Sequence, residues 1–341
     1  MTTSHAFARS IEVHSVKPHP SQGRLKPVRA KTRRLSLALQ GGGSIGAFTW
    51  GILDRLLDEE SIAFDAVSGA SAGAVNAVVL ASGLATGGRR QAQEQLEWFW
   101  KEASNAAPRA GIGAAVALAS HVVSPYQFNP FNLNPLRTLL SERINFDLLR
   151  AKPSVRLLIA TTRVRDGGLR IFREKAMAVD VVLASACLPH VHHAVSIGGE
   201  AYWDGGYAAN PPLIPLVTAT RALEVLVVQI MPSEGLGKPT TSSEISKRLD
   251  QITFNATLNR DMDTLAAMKT LTSKDGSGPP LARKLQRLKL HHLAAETQLP
   301  ELSQMSGMNL DWDFLVRLRD AGRAAAHHWL EDAAESRSSL V

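Results

Sequence analysis

The fold is decided by LSLALQGGGSIGAF at residues 35–48 and by FDAVSGASAGAVNAVV at residues 64–79. Each stretch starts with a short apolar run, passes through small residues and ends in apolar residues at helical spacing. This alternation of strand, loop and helix is typical of a parallel sheet covered by helices. We therefore expect an α/β fold. The predicted strands begin at Leu35 and cover Phe64–Ser68, and the predicted helices cover Ile45–Glu59 and Ala72–Leu84.

The composition is that of a folded chain. Of the 341 residues, 45% are apolar and 20% are charged, which excludes wholesale disorder and allows one large α/β domain with additions. The single cysteine, Cys187, cannot form an intrachain disulfide, so we expect a cytoplasmic protein. No window reaches the roughly 18 apolar residues that a membrane span requires. The longest apolar window, Ala110–Val123, is expected to form a buried or interfacial helix.

Three regions follow one another along the chain. Residues 1–34 are rich in proline, serine and basic residues and are expected to be a disordered tail. Residues 35–232 form the predicted catalytic core, and residues 233–341 a helical accessory part of the same domain. Further strands are predicted at residues 155–162, 169–172, 195–197, 201–203, 225–230 and 285–293, and further helices at 89–104, 135–142, 179–187, 245–271 and 312–332. The segment SPYQFNPFNLNP, residues 124–135, is predicted to be irregular because proline removes backbone donors.

The positive charge lies at one end of the chain. The sequence holds 38 Lys+Arg and 31 Asp+Glu, a net charge of +7. Residues 1–34 contain eight basic residues and one acidic residue, which already account for the +7 and leave the rest neutral. Such an arm could make a peripheral contact with an anionic membrane surface, or it could be a solvated tail without a partner. No motif that reads DNA or RNA is present, so we expect no nucleic-acid partner.

A glycine-rich loop between the first strand and its helix can bind an anion. Gly41-Gly42-Gly43-Ser44-Ile45-Gly46 places backbone N–H groups at a helix N-terminus, and its glycines allow a ligand to approach closely. The same string matches Gly-x-Gly-x-x-Gly, the dinucleotide-binding fingerprint. That fingerprint requires an acidic residue at the far end of the second strand, whereas Asp65 lies at its beginning. A dinucleotide site and a purely structural turn are the alternatives to an oxyanion site.

A candidate nucleophile follows the second strand. Gly69-Ala70-Ser71-Ala72-Gly73 is a Gly-x-Ser-x-Gly between a predicted strand and a predicted helix, the context of a nucleophile elbow. The alternative is a helix start with Ser71 as its cap. A serine nucleophile needs a base, and Asp204 in Tyr202-Trp203-Asp204-Gly205-Gly206 follows another short strand. The alternative there is a simple hairpin turn.

Taken together, these motifs resemble the patatin-like phospholipase family, in which a GGGxxG loop, a GxSxG elbow and a DGG occur in this order. The likeness extends from Leu35 to Ile230 and includes ASACLP at residues 184–189 and the asparagine Asn210. The resemblance implies a three-layer α/β fold with a mainly parallel central sheet flanked by helices. It also implies a bacterial patatin-like serine esterase that cleaves acyl esters of lipids, of phospholipase A or lysophospholipase type.

The resemblance further implies a serine–aspartate dyad. Ser71 would attack the ester carbonyl and Asp204 would accept its proton, which requires a carboxylate largely enclosed by protein. Many members have a basic residue at the position of Ile45, so this chain departs from them there. No cofactor and no metal are implied. The implied oxyanion hole comprises Gly41, Gly42, Gly43, Ser44 and Ala72, and the remaining motif glycines are Gly46, Gly69, Gly73, Gly205 and Gly206.

Three further hypotheses involve residues outside these motifs. An α/β-hydrolase triad would use Ser71, an aspartate and a C-terminal histidine, His291 or His292. A non-catalytic lipid-binding module would use apolar residues of the Asn/Pro stretch, which could otherwise form a lid, an acyl-chain channel or ordinary core contacts. Pro189-His190-Val191-His192-His193 could hold a metal, although pocket-lining or surface histidines are the alternative. The apolar residues in question are Phe128, Phe131, Leu133 and Leu136.

Overall fold

The computed structural model describes residues 32–107, 123–235, 237–272 and 278–338. Of the predicted helix Ala110–Val123, all but Val123 lie outside the described residues, and so do residues 1–31 of the predicted basic tail. The last three tail residues are described, and Arg33 and Arg34 begin the first strand. Arg33 also forms an ion pair with Glu224 on a neighbouring strand. Within the described ranges, no helix is long and apolar enough to cross a membrane.

The strands within the described ranges form one eight-stranded sheet. Its order is β5-β6-β3-β2-β1-β7-β8, and β4 pairs with the free side of β3. The five strands β3, β2, β1, β7 and β8 are parallel, whereas β4, β5 and β6 are antiparallel to their partners. The strands are β1 Arg33–Leu39, β2 Ile62–Gly69, β3 Arg156–Arg163, β4 Leu169–Arg173, β5 Val195–Ile197, β6 Glu200–Asp204, β7 Glu224–Gln229 and β8 Lys289–Ala294.

Helices cover both faces of the sheet. They are α1 Gly46–Leu57, α2 Ala72–Asn105, α3 Pro125–Phe128, α4 Pro135–Arg143, α5 Phe146–Ala151, α6 Val179–Ser185, α7 Leu213–Ala219, α8 Ser242–Leu271, α9 Pro280–Arg287, α10 Ala295–Gln298 and α11 Trp312–Ser338. Within α2, Gly87 and Gly88 have non-helical dihedral angles. Two helical stretches therefore meet there, as the separate predictions over residues 72–84 and 89–104 require.

The alternation of side chains along β1 separates two hydrophobic layers. Leu35, Leu37 and Leu39 are fully buried in one layer, which also contains residues of α1, α2 and α11. Ala38 belongs to the other layer, with residues of α7, α8 and α9. Successive residues of a strand point to opposite faces, and a parallel sheet is buried on both of them. The three-layer α/β fold predicted from the sequence is therefore confirmed.

Two predictions of secondary structure were wrong. The segment 124–135 contains the short helix α3, whose first turn is capped by Ser124. Pro125 is the first helical residue, a position where the N–H that proline lacks would have no partner within the helix. The predicted strand over residues 285–293 is helical at its start, because α9 extends to Arg287 and β8 begins only at Lys289. The spacing of apolar residues could not separate a short helix from a short strand in this run.

Candidate active site

The glycine loop and the serine turn lie side by side at one edge of the sheet. The parallel neighbours β1 and β2 are in register at Leu39 and Gly69, so both chains leave the sheet at the same level. The loop then passes so close to the turn that a Cβ atom at Gly41 would lie 2.5 Å from Cβ of Ser71. Only glycine permits this approach. The anion-binding loop and the candidate nucleophile are thus adjacent.

Ser71 occupies a backbone conformation that L-residues rarely adopt. Its φ is 52° and its ψ is −127°, immediately before the first residue of α2. The two glycines of the motif make this turn sterically possible. A Cβ atom at Gly69 would lie 2.5 Å from the backbone of Gly73, and one at Gly73 would lie 2.1 Å from the carbonyl oxygen of Leu39. Ser71 as a whole residue is 8% exposed at the start of the helix.

The position of Asp204 follows from an interruption in the sheet. On one side of β3, the parallel pairing with β2 ends at Gly69, which lies opposite Ile159. Two residues further along β3, Thr161 pairs with Asp204 at the end of the antiparallel strand β6. The other side of β3 is occupied by β4. Strand β6 therefore continues the line of β2 from the opposite direction, and its last residue meets the serine turn.

Asp204 is fully buried, as we predicted for a carboxylate that acts as a base. Its Oδ1 accepts the N–H of Gly206 at 2.7 Å, whereas Oδ2 has no hydrogen-bond partner among the described residues. Burial raises the pKa of Asp204 from its ordinary value to about 7, although the Gly206 N–H and the neighbouring Ser71 hydroxyl act in the opposite direction. Ser71 thus lies next to a desolvated carboxylate, one oxygen of which has no hydrogen-bond partner in the described part of the chain.

Close packing fixes the remaining motif glycines. A Cβ atom at Gly46 would lie 2.7 Å from Cβ of Ala72, which joins the start of α1 to the start of α2. At Gly205 it would lie 2.1 Å from the carbonyl oxygen of Ala160 on β3, and at Gly206 it would lie 2.4 Å from the ring of Phe254 on α8. The glycines of the DGG sequence therefore allow the turn after β6 to fit between the sheet and α8.

The glycine loop, the serine turn and Asp204 that form this site lie within the part of the chain that matches a known protein family. The family model described as patatin-like phospholipase matches residues 37–217, more than half of the chain. The chain belongs to this family.

Solved structures similar to this patatin-like chain include VipD from Legionella pneumophila and the type III effector protein ExoU. VipD is 14% identical over 86% of this chain and 67% of its own, with a TM-score of 0.37. ExoU is 16% identical over 91% of this chain and 64% of its own, with a TM-score of 0.27. The chain thus spans about two thirds of the length of these proteins. A comparison with curated proteins found no match.

Two of the expected oxyanion donors are already engaged. The N–H of Gly41 donates to Oδ1 of Asn210 at 2.7 Å, and the N–H of Ser44 donates to the carbonyl oxygen of Gly307 at 2.8 Å. The N–H groups of Gly42, Gly43 and Ala72 have no acceptor among the described residues. The expectation for Gly41 and Ser44 therefore needs correction, because a donor that is bonded to protein is not free for a substrate oxygen. Three candidate donors to an oxyanion remain, the N–H groups of Gly42, Gly43 and Ala72.

Sequence reasoning found Asn210 but gave it no role. Its Oδ1 accepts from Gly41 N–H, and its Nδ2 donates to the carbonyl oxygens of Gly41 at 3.2 Å and Phe254 at 3.1 Å. The amide therefore ties the glycine loop to α8. Two further residues at the site, Ser185 and Gly307, were missed as contributors. Ser185 stands in the ASACLP sequence, whereas nothing in the local sequence marks Gly307.

The histidines of the α/β-hydrolase triad lie far from the nucleophile. His291 Nε2 is 3.2 Å from Oε2 of Glu224, and His292 Nε2 is 2.8 Å from Oε1 of Gln229. Both histidines belong to β8, which is three strands away from β2. At about 4.8 Å per strand, this separation is roughly 14 Å. Neither histidine can therefore accept a proton from Ser71 in this structure.

Residues considered for a dinucleotide site and for a metal site are in contact with other parts of the protein instead. Asp65 lies in the middle of β2, four residues before Gly69 and not at the C-terminal end of the strand, and it forms an ion pair with Arg156. His193 stacks on Tyr126 with ring centroids 4.1 Å apart, and its Nε2 lies 3.1 Å from the carbonyl oxygen of Pro125. In the described part of the chain, no group of three or more His, Cys, Asp or Glu side chains is arranged to hold a metal ion.

The apolar residues of the Asn/Pro stretch have different environments. Phe131 is 84% exposed and Leu133 is 72% exposed, whereas Leu136 packs against the core. Phe128 is half-buried. No described contact places any of them at Ser71, so a lid or an acyl-chain channel formed by these residues stays a prediction.

Proposed function

We propose that this patatin-like chain is a serine hydrolase that cleaves acyl ester bonds of lipids, of phospholipase A or lysophospholipase type, through Ser71 and Asp204. The observation that carries the proposal is the buried Asp204, whose Oδ2 has no hydrogen-bond partner among the described residues, placed next to a serine in a strained turn. Family membership supports the lipid substrate. The phospholipase type rests on the resemblance of the motifs.

In the proposed acylation step, Ser71 Oγ attacks the ester carbonyl carbon while its proton passes to Asp204. The bond to the leaving alcohol then breaks, and Asp204 returns the proton to the departing oxygen. Water subsequently attacks the acyl-enzyme and gives its proton to the same carboxylate. The serine recovers a proton as the fatty acid leaves, so the enzyme returns to its initial state.

The N–H groups of Gly42, Gly43 and Ala72 are the proposed donors to the negatively charged oxygen that forms during each attack. Gly42 caps and Gly43 begins a 3-10 turn, Gly43–Ile45, that leads into α1, and Ala72 is the first residue of α2, so each N–H lies at a helix start. The removal of one such donor typically slows an enzyme by about 10²- to 10³-fold. Many members have a basic side chain at the position of Ile45, and its absence here leaves these backbone donors unaffected.

Burial gives the carboxylate the proton affinity that a base requires. An ordinary aspartate is too weak a base at neutral pH, whereas the pKa of Asp204 is raised to about 7 by its enclosure. A base works best when its pKa is near the working pH. The same enclosure leaves Oδ2 without competing hydrogen bonds among the described residues.

The proposal is tested with soluble and long-chain acyl esters and a fluorophosphonate label. We expect the wild-type protein to hydrolyse the esters and to be labelled at Ser71, and we expect Ser71→Ala and Asp204→Asn to lose activity while remaining folded. Wild-type turnover in either folded variant would exclude the dyad. Labelling of an active protein at another residue would exclude Ser71 as the nucleophile.

We also propose a cytoplasmic enzyme with a peripheral membrane contact through its basic N-terminal residues. Residues 1–31 contain six basic residues and one acidic residue. Each basic residue near an anionic membrane contributes up to about 1 kcal/mol, and the effect falls with salt. Deletion of residues 1–31, which spares Arg33 in β1, should weaken binding to phosphatidylserine vesicles at low salt but not hydrolysis of a soluble ester. Unchanged vesicle binding would exclude this contact.

A further inference from the structure

The C-terminal part of the chain touches the glycine loop directly. The carbonyl oxygen of Gly307 accepts the N–H of Ser44 at 2.8 Å, and the carbonyl oxygen of Ser306 accepts the hydroxyl of Ser44 at 3.3 Å. Both acceptors lie more than 260 positions away along the chain. They also lie outside residues 37–217, the part that matches the family model.

The same contact extends to the glycines that provide the proposed donors. Gly43 has a φ of +61°, and a Cβ atom there would lie only 2.2 Å from the carbonyl oxygen of Gly307. From the other side, a Cβ atom at Gly307 would lie 3.0 Å from the carbonyl oxygen of Gly42. The backbones of the two segments are thus in direct contact, with no side chain between them.

The helix that follows this contact is packed onto the helix that follows the glycine loop. A Cβ atom at Gly51 of α1 would lie 1.9 Å from the carbonyl oxygen of Arg319 on α11, and one at Gly322 would lie 2.0 Å from that of Phe48. Arg323 of α11 forms ion pairs with Asp54 and Asp58 of α1. The segment around Gly307 is therefore held at a fixed place relative to α1.

We propose that Ser306 and Gly307 are positioning residues that hold the Gly42–Ser44 backbone in the conformation that binds the oxyanion. The inference rests on the proposed function of this site. By accepting the Ser44 N–H, Gly307 fixes the peptide planes of the preceding glycines, which have no side chains of their own to restrict them. Two of the three proposed donors, Gly42 and Gly43, belong to this stretch. The C-terminal region thus completes a site whose catalytic residues all come from the matched region.

The test uses Gly307→Ala, which pushes a methyl group against the Gly42 carbonyl. Met308→Ala is the matched control, because Met308 lies in the same loop and its side chain is 64% exposed. The substrates are a short soluble ester and the corresponding thionoester, whose sulfur is a weak hydrogen-bond acceptor. An oxyanion hole accelerates the oxygen ester far more than the thionoester, so the ratio of the two rates reports on its donors.

We expect Gly307→Ala to lower kcat for the oxygen ester by about tenfold or more, with KM within about twofold and the thionoester rate nearly unchanged. Met308→Ala should leave both rates unchanged. Wild-type rates in Gly307→Ala, or equal losses on both substrates, would overturn the proposal. If Gly307→Ala fails to fold, Ser44→Ala removes the hydroxyl bond to Ser306 and should lower the oxygen-to-thiono ratio severalfold. An unchanged ratio in Ser44→Ala would then overturn it.

Comparison of the wild-type protein with Ser71→Ala distinguishes a failure of the proposed function from a failure of this inference. Ester hydrolysis that is lost in Ser71→Ala supports the serine mechanism, whatever Gly307→Ala does. Hydrolysis that persists in Ser71→Ala would overturn the serine mechanism and, with it, the positioning role of Gly307.

Discussion

Ser185 accepts the main-chain N–H of Ser71 through two oxygens, its carbonyl oxygen at 3.0 Å and its Oγ at 3.1 Å. Two residues later, the carbonyl oxygen of Cys187 accepts the main-chain N–H of Asp204 at 2.9 Å. The short segment at the end of α6, residues 185–187, therefore holds the backbones of both candidate catalytic residues. The separation between serine and aspartate is set through this segment.

Substitution of Ser185 should therefore reduce activity without removing either candidate catalytic side chain. Ser185→Ala removes the Oγ acceptor but keeps the carbonyl acceptor, so we expect kcat to fall about tenfold while KM changes little. Ser185→Thr, which keeps a hydroxyl, should retain more activity. The control is Ser82→Ala, because Ser82 is also a buried serine and its Oγ has no partner among the described residues. Equal activities of the Ser185→Ala and Ser82→Ala variants would contradict this role.

The strained backbone at residue 71 predicts that glycine at this position abolishes activity but gives a more stable protein than alanine does. Glycine adopts a φ of 52° without steric cost, whereas serine and alanine do not. We expect Ser71→Gly to be inactive and more stable than Ser71→Ala by about 1 kcal/mol, because the strain is relieved. The matched pair is compared by urea unfolding at one pH. Equal stabilities would show that the turn stores no strain.

The raised pKa of Asp204 predicts an acidic limb in the pH profile. The carboxylate must be ionised to accept the proton of Ser71, and its pKa in the folded protein is about 7. We expect kcat/KM for a soluble ester to fall by about tenfold per pH unit below this value and to level off above it. The measurement needs an ester whose own hydrolysis is slow between pH 5 and 9. A constant kcat/KM down to pH 5 would contradict the raised pKa.

Most strands, the long helices and the neighbouring glycine loop and serine turn could be predicted from the sequence because each depends on local spacing, whereas the short helices α3 and α9 could not. The placement of Asp204, the last residue of β6, beside the C-terminal end of β2 could not be predicted. It depends on the antiparallel pairing of β6 with β3, which occurs only beyond Ile159. The bond from Ser44 to Gly307 joins parts of the chain that share no local pattern. Local sequence also could not reveal that Gly41 and Ser44 already use their N–H groups, because both acceptors are distant in sequence.

The burial of Asp204 also predicts a stability cost that appears only when the carboxylate is charged. Its pKa rises from 3.8 to about 7 on folding, so between these values the folded protein binds a proton that the unfolded chain has released. The contribution of this group to stability therefore falls as pH rises from about 4 to 7, by roughly 4 kcal/mol in total. Asp204→Asn cannot ionise and should be more stable than the wild type at pH 8, with the difference shrinking toward pH 4. Thermal unfolding of both proteins between pH 4 and 8 measures this difference in stability. A difference that does not vary with pH would show that Asp204 ionises as easily in the folded protein as in the unfolded chain.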